Sequence, residues 1–315
     1  MGLEYQELKI KTEYTLLGAF GRIADIVERT QELGMSAVCM TDVGTMRGAY
    51  HLNEECAQLE DKSVRPIYGC ELSVVGNHEI KGLTEAQTEE AIRGLVKPIE
   101  KRRAIKEAER SLNVRKVKKI TARAIDNEGL TNLYKLTSRS WNEGFYWEPR
   151  IDLELLKKHA KGVSISIGGV EGVVCEDLLD GNVSKAMDTL LDLREAFEDR
   201  IWIEIQPHAG NHIRLNKMLT KLSESFDIPL IATNDVHYIR EEDVRTHTII
   251  LCMKDKKTLN DSDHPISPPG YYLRTADQML EAFQENHPHL STGLVMSAIE
   301  RTKEVGERHK SAMVI

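Results

Sequence analysis

The sequence predicts an α/β fold built on parallel strands, and three observations carry that prediction. Short apolar, β-branched runs alternate about seven times with longer stretches of helical period, the pattern of strands joined by right-handed crossovers. The 315 residues are 41% hydrophobic and 29% charged, enough apolar side chain to bury the core of one large domain or two small ones. No G-x-G-x-x-G follows a strand run, so the dinucleotide-binding version loses its best support. An open doubly wound sheet or a closed barrel remains.

The elements follow in order. The first expected strand covers 7–11 and carries two lysines, Lys9 and Lys11, whose spacing of two points both side chains to one face. A helix over 23–33 stops at Gly34, a residue suited to a left-handed C-terminal turn. Further strands are expected at 36–41, 65–74, 119–125, 163–167, 201–206 and 228–234. Helices over 49–59, 128–141, 183–197 and 212–226 lie between them. Beyond 234 the pattern is mostly helical, over 241–253, 276–283 and 291–309.

One segment breaks the alternation. Between Arg93 and Arg123 there are 12 Lys or Arg against 3 Glu. Thr84 with Gln87 has capping-box spacing, and Pro98 separates two helical pieces. The segment reads either as a solvated helical insertion, over about 83–118, or as a contact for nucleic acid through Arg102, Arg103 and Lys106. A net charge of −8 argues against wholesale coating by nucleic acid. Five scattered cysteines without C-x-x-C spacing read as reduced thiols, and no run has the length of a membrane span. A soluble, cytoplasmic chain is expected.

Four strand ends carry polar groups: KIKTE at 9–13, MTDVG at 40–44, YGCEL at 68–72 and ATNDVHY at 232–238. Glu71, Asp235 and His237 together suit one divalent metal. The competing reading is a polar mouth of hydrogen-bonded side chains. Trp141, Tyr146 and Trp147 either stack on a base or pack under a loop, and Arg150 pairs with a carboxylate or a neighbouring domain. His208, His212 and His247 read as solvated or hydrogen-bonded, and GGVEG at 168–172 lacks the lysine of a phosphate loop.

These strand ends, in this order, resemble the PHP (polymerase and histidinol phosphatase) family, most closely the N-terminal PHP domains of bacterial DNA polymerase III alpha subunits. The segments EYTLLGAFGRIADIVERTQELGMSAVCMTDVGTMRGA, YGCEL, NEGLTNLYKLTSRSWNEGFYWEPRID, WIEIQPH and IPLIATNDVHY carry the resemblance, with IILCMKDKKTLND, YYLRTADQMLEAF and AIERTKEVGER at the helical end. The resemblance implies a distorted seven-stranded TIM-like barrel over 1–300, with 301–315 ending the last helix and starting a linker toward an absent polymerase core. Active members hold Zn, Mn or Mg through nine side chains and hydrolyse phosphoesters.

Of those nine positions the chain keeps Glu71, Asp235 and His237. The other six are Lys9, Lys11, Gly18, Val43, Ile120 and Gly169. A register slip cannot restore the site, because no histidine precedes His51 and none lies between His78 and His159. A lysine ammonium offers no lone pair and repels a cation, so no metal is expected. The two lysines either replace metal charge beside Glu71 and Asp235 or point to solvent. The resemblance implies a non-catalytic domain in DNA replication, docking the rest of a polymerase chain and a proofreading exonuclease subunit. The alternatives are an active phosphoesterase or 3′–5′ exonuclease around Glu71, Asp235 and His237, and a free-standing DNA-associated scaffold.

Overall fold

In the computed structural model, which describes residues 2–112 and 116–310, seven strands form one curled sheet. They are β1 (Ala37–Met40), β2 (Arg65–Val74), β3 (Lys118–Ala124), β4 (Arg150–Ile151), β5 (Val163–Ile167), β6 (Ile201–Ile205) and β7 (Leu230–Ala232). Their order is β1-β2-β3-β5-β6-β7, with β4 added to the end of β2. The expected first strand survives as a single residue of ladder. Ile10 bridges Met40 on one side and Val236 on the other, both parallel, so residues 9–11 join the two edges. Ile10 N–H donates to Cys39 O and Lys11 N–H to Val236 O, while Val236 N–H donates to Lys9 O. The result is a distorted barrel whose seam is the lysine segment.

One expectation needs correcting. The strands are not all parallel: β3 runs antiparallel to both β2 and β5. Val74 pairs with Lys118, so the chain leaves β2 and re-enters in β3 at the same end of the sheet. A crossover would have delivered the chain to the opposite end.

Helices α1 (Ile23–Glu32) and α2 (Ala49–Gln58) cover the first part of the wall. In α1 the buried residues Ile23, Ile26, Val27 and Thr30 recur at helical spacing and make one inward stripe. Gly34 ends it with φ of +69°. Helices α3 (Glu85–Ile92) and α4 (Pro98–Ser111) form the insertion, and the Thr84–Gln87 capping box is present. No residue of α3 is buried. Residues 113–115 of the expected insertion, and 311–315 of the expected linker, lie outside the described residues.

The outer layer continues with α5 (Asn127–Asn142), α6 (Leu153–Lys158), α7 (Cys175–Leu179), α8 (Val183–Phe197) and α9 (Asn211–Phe226). The short α6 and α7 were not legible from periodicity, which needs more than two turns to register. The helical end comprises α10 (Val244–Asp255), α11 (Ala276–Asn286) and α12 (Thr292–Arg308). The end of α12 is tied beneath the barrel: Arg65 donates to Gly306 O and His309 O, and Lys310 N–H donates to Ile125 O. No helix among the described residues is long and apolar enough to cross a membrane.

Candidate functional site: a charged cluster at the barrel mouth

Alternation along the seam decides where the lysines go. Ile10 faces the outer core, and Lys9 and Lys11 on either side of it both enter the barrel, each only 3–4% exposed. Glu71 arrives from β2, Glu204 from β6, and Asp235 from the turn after β7, where its φ of +51° is one that aspartate tolerates better than most residues. Lys9 Nζ lies 3.1 Å from Glu71 Oε2, 3.4 Å from Glu204 Oε1 and 3.8 Å from Asp235 Oδ1. Lys11 Nζ lies 3.4 Å from Glu71 Oε2 and donates a short hydrogen bond to Asp235 Oδ1.

A third cation joins from β3. Arg123 is fully buried; Nε donates to Leu8 O, Nη1 to Ser166 Oγ, and Nη2 stands 3.9 Å from Glu204 Oε2. Three carboxylates thus face three cations. Burial alone would push the Lys9 ammonium down, but Asp235, Glu204 and Glu71 outweigh it and hold Lys9 well above its ordinary value. Burial would likewise raise Asp235 and Glu71, yet Lys11 and Lys9 hold Asp235 well below, and Glu71 below, the usual carboxylate range. Each ion is costly to bury alone and is stabilised by its neighbours.

Below the cluster, Glu7 is a fourth buried carboxyl with no cation of its own. It accepts from Tyr5 Oη and from the backbone N–H of Lys9 and Asn234, so it clips the seam to the end of β7. Burial pushes its pKa up to about 7 despite those donors. Asp42 of the MTDVG motif is also buried and accepts from Thr12 and Thr15.

The remaining sequence candidates divide. His237 Nδ1 donates to Gly18 O, and its Nε2 lies 3.7 Å from Asp235 Oδ2. Val43 bridges Glu71 at the rim. A Cβ on Gly169 would stand 3.9 Å from Lys9 Nζ, so that position does face the cluster. Ile120 does not. In the β2–β3 register Glu71 pairs with Thr121, and opposed residues share a face, so Ile120 points away into the outer core with Leu72. Lys119 takes the inward position beside it, 2.9 Å from Glu148 Oε2.

Of the two readings of His208, His212 and His247, the hydrogen-bonded one holds: all three are buried, and they bond to Asn234 O, to Gln206 Oε1, and to Gly18 O and Ser267 Oγ respectively. Arg150 makes no ion pair with a carboxylate among the described residues; it donates to Gly144 O and Ile80 O. Trp141 and Trp147 are 41% and 65% exposed rather than packed under a loop. Arg102, Arg103 and Lys106 lie on the exposed surface of α4.

Sequence reasoning missed Glu204 and Arg123. A signal existed for the first: Glu204 and Gln206 are spaced by two within an apolar strand, as Lys9 and Lys11 are, and Gln206 Nε2 donates to Glu204. The donor set does not suit a metal ion. Both ammonium groups lie within 4 Å of Glu71 and Asp235, where a divalent ion would have to sit. Among the described residues no group of three or more His, Cys, Asp or Glu is arranged to hold a metal.

Comparison with known proteins adds the following. Residues 7–208 match the PHP domain family. The chain is 30% identical over 285 residues to the DNA polymerase III subunit alpha of Deinococcus radiodurans, covering 89% of this chain and 19% of that protein. It is 26% identical over 299 residues to the same subunit of Aquifex aeolicus, covering 90% and 23%. A solved chain from Bifidobacterium adolescentis, described as a proposed metal-dependent phosphoesterase, superposes with a TM-score of 0.38 at 12% identity, covering 89% of this chain and 97% of that one. The chain thus spans about a fifth of the length of the curated relatives it matches.

Proposed function

The chain belongs to the PHP domain family, and from that premise we propose that it is a catalytically degenerate PHP domain serving a DNA polymerase III alpha-type replicative protein. Its work there is structural: it supports the rest of the polymerase chain and docks a partner, by resemblance the proofreading exonuclease subunit. The relatives' shared name supports the replicative setting.

One observation carries the reading of degeneracy, the placement of the Lys9 and Lys11 ammonium groups against Glu71 and Asp235. Two unit charges 4 Å apart interact by about 4 kcal/mol at an effective dielectric of 20, so one ammonium opposes a divalent ion there by about 8 kcal/mol. Two of them oppose it by about twice that. The carboxylates that would attract the ion are already neutralised. Phosphoester hydrolysis in a metal site depends on the ion to acidify water and polarise the phosphoryl oxygen, and neither lysine supplies that.

The test is elemental analysis of the purified protein, with hydrolysis of a bis-aryl phosphodiester measured with and without chelator. Substoichiometric metal and no chelator-sensitive turnover are expected, for the wild type and for Lys9→His/Lys11→His alike. Stoichiometric metal, with turnover abolished by Asp235→Ala, would overturn the proposal in favour of an active phosphoesterase.

A further inference from the structure

The insertion and the loop after α5 meet on the surface: Tyr146 Oη donates to Glu109 of α4 at 3.0 Å. On this surface α4 presents Arg102, Arg103 and Lys106, all exposed and, among the described residues, without a carboxylate in salt-bridge range. At 100° per residue the three fall within about a third of the helix circumference, so they form one cationic stripe.

The same loop, tied to α4 through Tyr146, presents an aromatic pile. Phe145 stacks on Trp141 at 5.4 Å with 19° between planes, and the guanidinium of Arg47 lies over the Trp141 ring, 5.1 Å from its centroid. Phe145 is 41% exposed, leaving its ring available to a further stacked group. The pile is held rigidly. Trp141 Nε1 donates to Gly44 O, and buried Arg150 pins Gly144 O; a Cβ on Gly144 would stand 2.0 Å from Arg150 O. Large aromatic rings kept exposed on a rigid loop have already met their ordering cost before any ligand arrives.

We propose that this surface binds single-stranded nucleic acid, with a base stacked on Phe145 and the phosphate backbone running along Arg102, Arg103 and Lys106. An exposed aromatic platform on a loop bonded to a helix of exposed cations is the kind of surface that recognises an unpaired strand. A purely acidic protein partner would use the cations and leave the pile idle. A duplex would offer phosphates but no free base face. The inference is independent of the charges at the barrel mouth, because Arg102, Arg103, Lys106 and Phe145 pair with none of them among the described residues.

Fluorescence anisotropy with a labelled oligo-dT tests it on the full chain. Affinity is expected to fall roughly twentyfold between 50 and 200 mM salt, as three phosphate contacts require. Arg102→Ala/Arg103→Ala/Lys106→Ala should reduce the log–log salt slope by about 2. Phe145→Ala should weaken binding roughly five- to hundredfold, whereas Phe145→Tyr, which keeps the ring, should not. Circular dichroism controls for folding. No wild-type binding at 50 mM salt, polyglutamate competing as well as oligo-dT, or a blunt duplex bound equally by wild type and Phe145→Ala would each overturn the proposal.

Discussion

Nζ of Lys9 lies 3.1 Å from Oε2 of Glu71, across the seam where the ends of the sheet meet. The barrel mouth is thereby both a charge cluster and a closure device, and its residues affect stability before anything else.

Removing both lysines should be severe. Lys9→Ala/Lys11→Ala takes from Glu71, Glu204 and Asp235 the two ammonium groups that lie against them and leaves Arg123 near Glu204 alone, and breaking a buried pair costs about 3–5 kcal/mol. Urea denaturation should show at least that loss, or a chain that does not fold. Adding Glu71→Gln and Asp235→Asn should recover part of the stability. Equal stability of the wild type and the double alanine variant would show that the lysines are not needed for charge balance.

Acid should unfold the domain early. Asp235 and Glu71 sit below the usual carboxylate range, so the stability they contribute is complete above about pH 5 and is lost as pH falls through their folded values. His309 acts in the same direction. Burial lowers it to about 3, so below pH 6.5 the unfolded chain takes up a proton that the folded chain refuses. That group alone removes about 4 kcal/mol between pH 6.5 and 3. In the Glu7→Gln background, which lacks the opposing titration of that carboxyl, a melting temperature that stays flat from pH 6.5 to 3 would contradict both assignments.

Glu7 should work in the opposite sense. Its folded pKa of about 7 lies above the ordinary value of 4.5, so the folded state holds the extra proton and loses stability as pH rises from 4.5 to 7. Chemical denaturation of Glu7→Gln at pH 5, 6 and 7 should show a flatter alkaline side than the wild type. The cost of a lost acceptor shifts all three values together and leaves the slope readable.

The insertion should be removable. Because Val74 pairs directly with Lys118, the chain enters and leaves the excursion at adjacent points of the sheet. Replacing 84–112 with a short Gly-Ser turn should preserve the far-ultraviolet circular dichroism of the barrel and cooperative melting, and the shorter loop should lower the closure cost by about 1 kcal/mol or less. Residues 75–83 must stay, because His78 Nδ1 bonds Asp152 and Ile80 O holds Arg150.

Periodicity made most strands and long helices legible, since apolar spacing reports which face is buried. It did not report direction, so β3 read like any other strand although it runs backwards. The lysine spacing placed Lys9 and Lys11 on one face from sequence alone. Their partners were only half visible: Glu71 and Asp235 lay in recognisable motifs, whereas Glu204 and Arg123 sat inside apolar strands where a charge is easily taken for a strand end. The Ile120 assignment shows the limit of alignment by position. A shift of one residue exchanges the barrel interior for the outer core.

The three-against-three cluster also constrains how such a domain can change over generations. Changing one position, for example Lys9→His, removes a positive charge that answers Glu71, Glu204 and Asp235. The intermediate would carry a buried, unanswered carboxylate costing several kcal/mol, a large share of the 5–15 kcal/mol that hold an ordinary domain folded. Neutralising a carboxylate first leaves an unanswered ammonium instead. Single steps that trade these charges for neutral metal-binding side chains therefore pass through chains that barely fold, and selection for folding alone would keep the door shut.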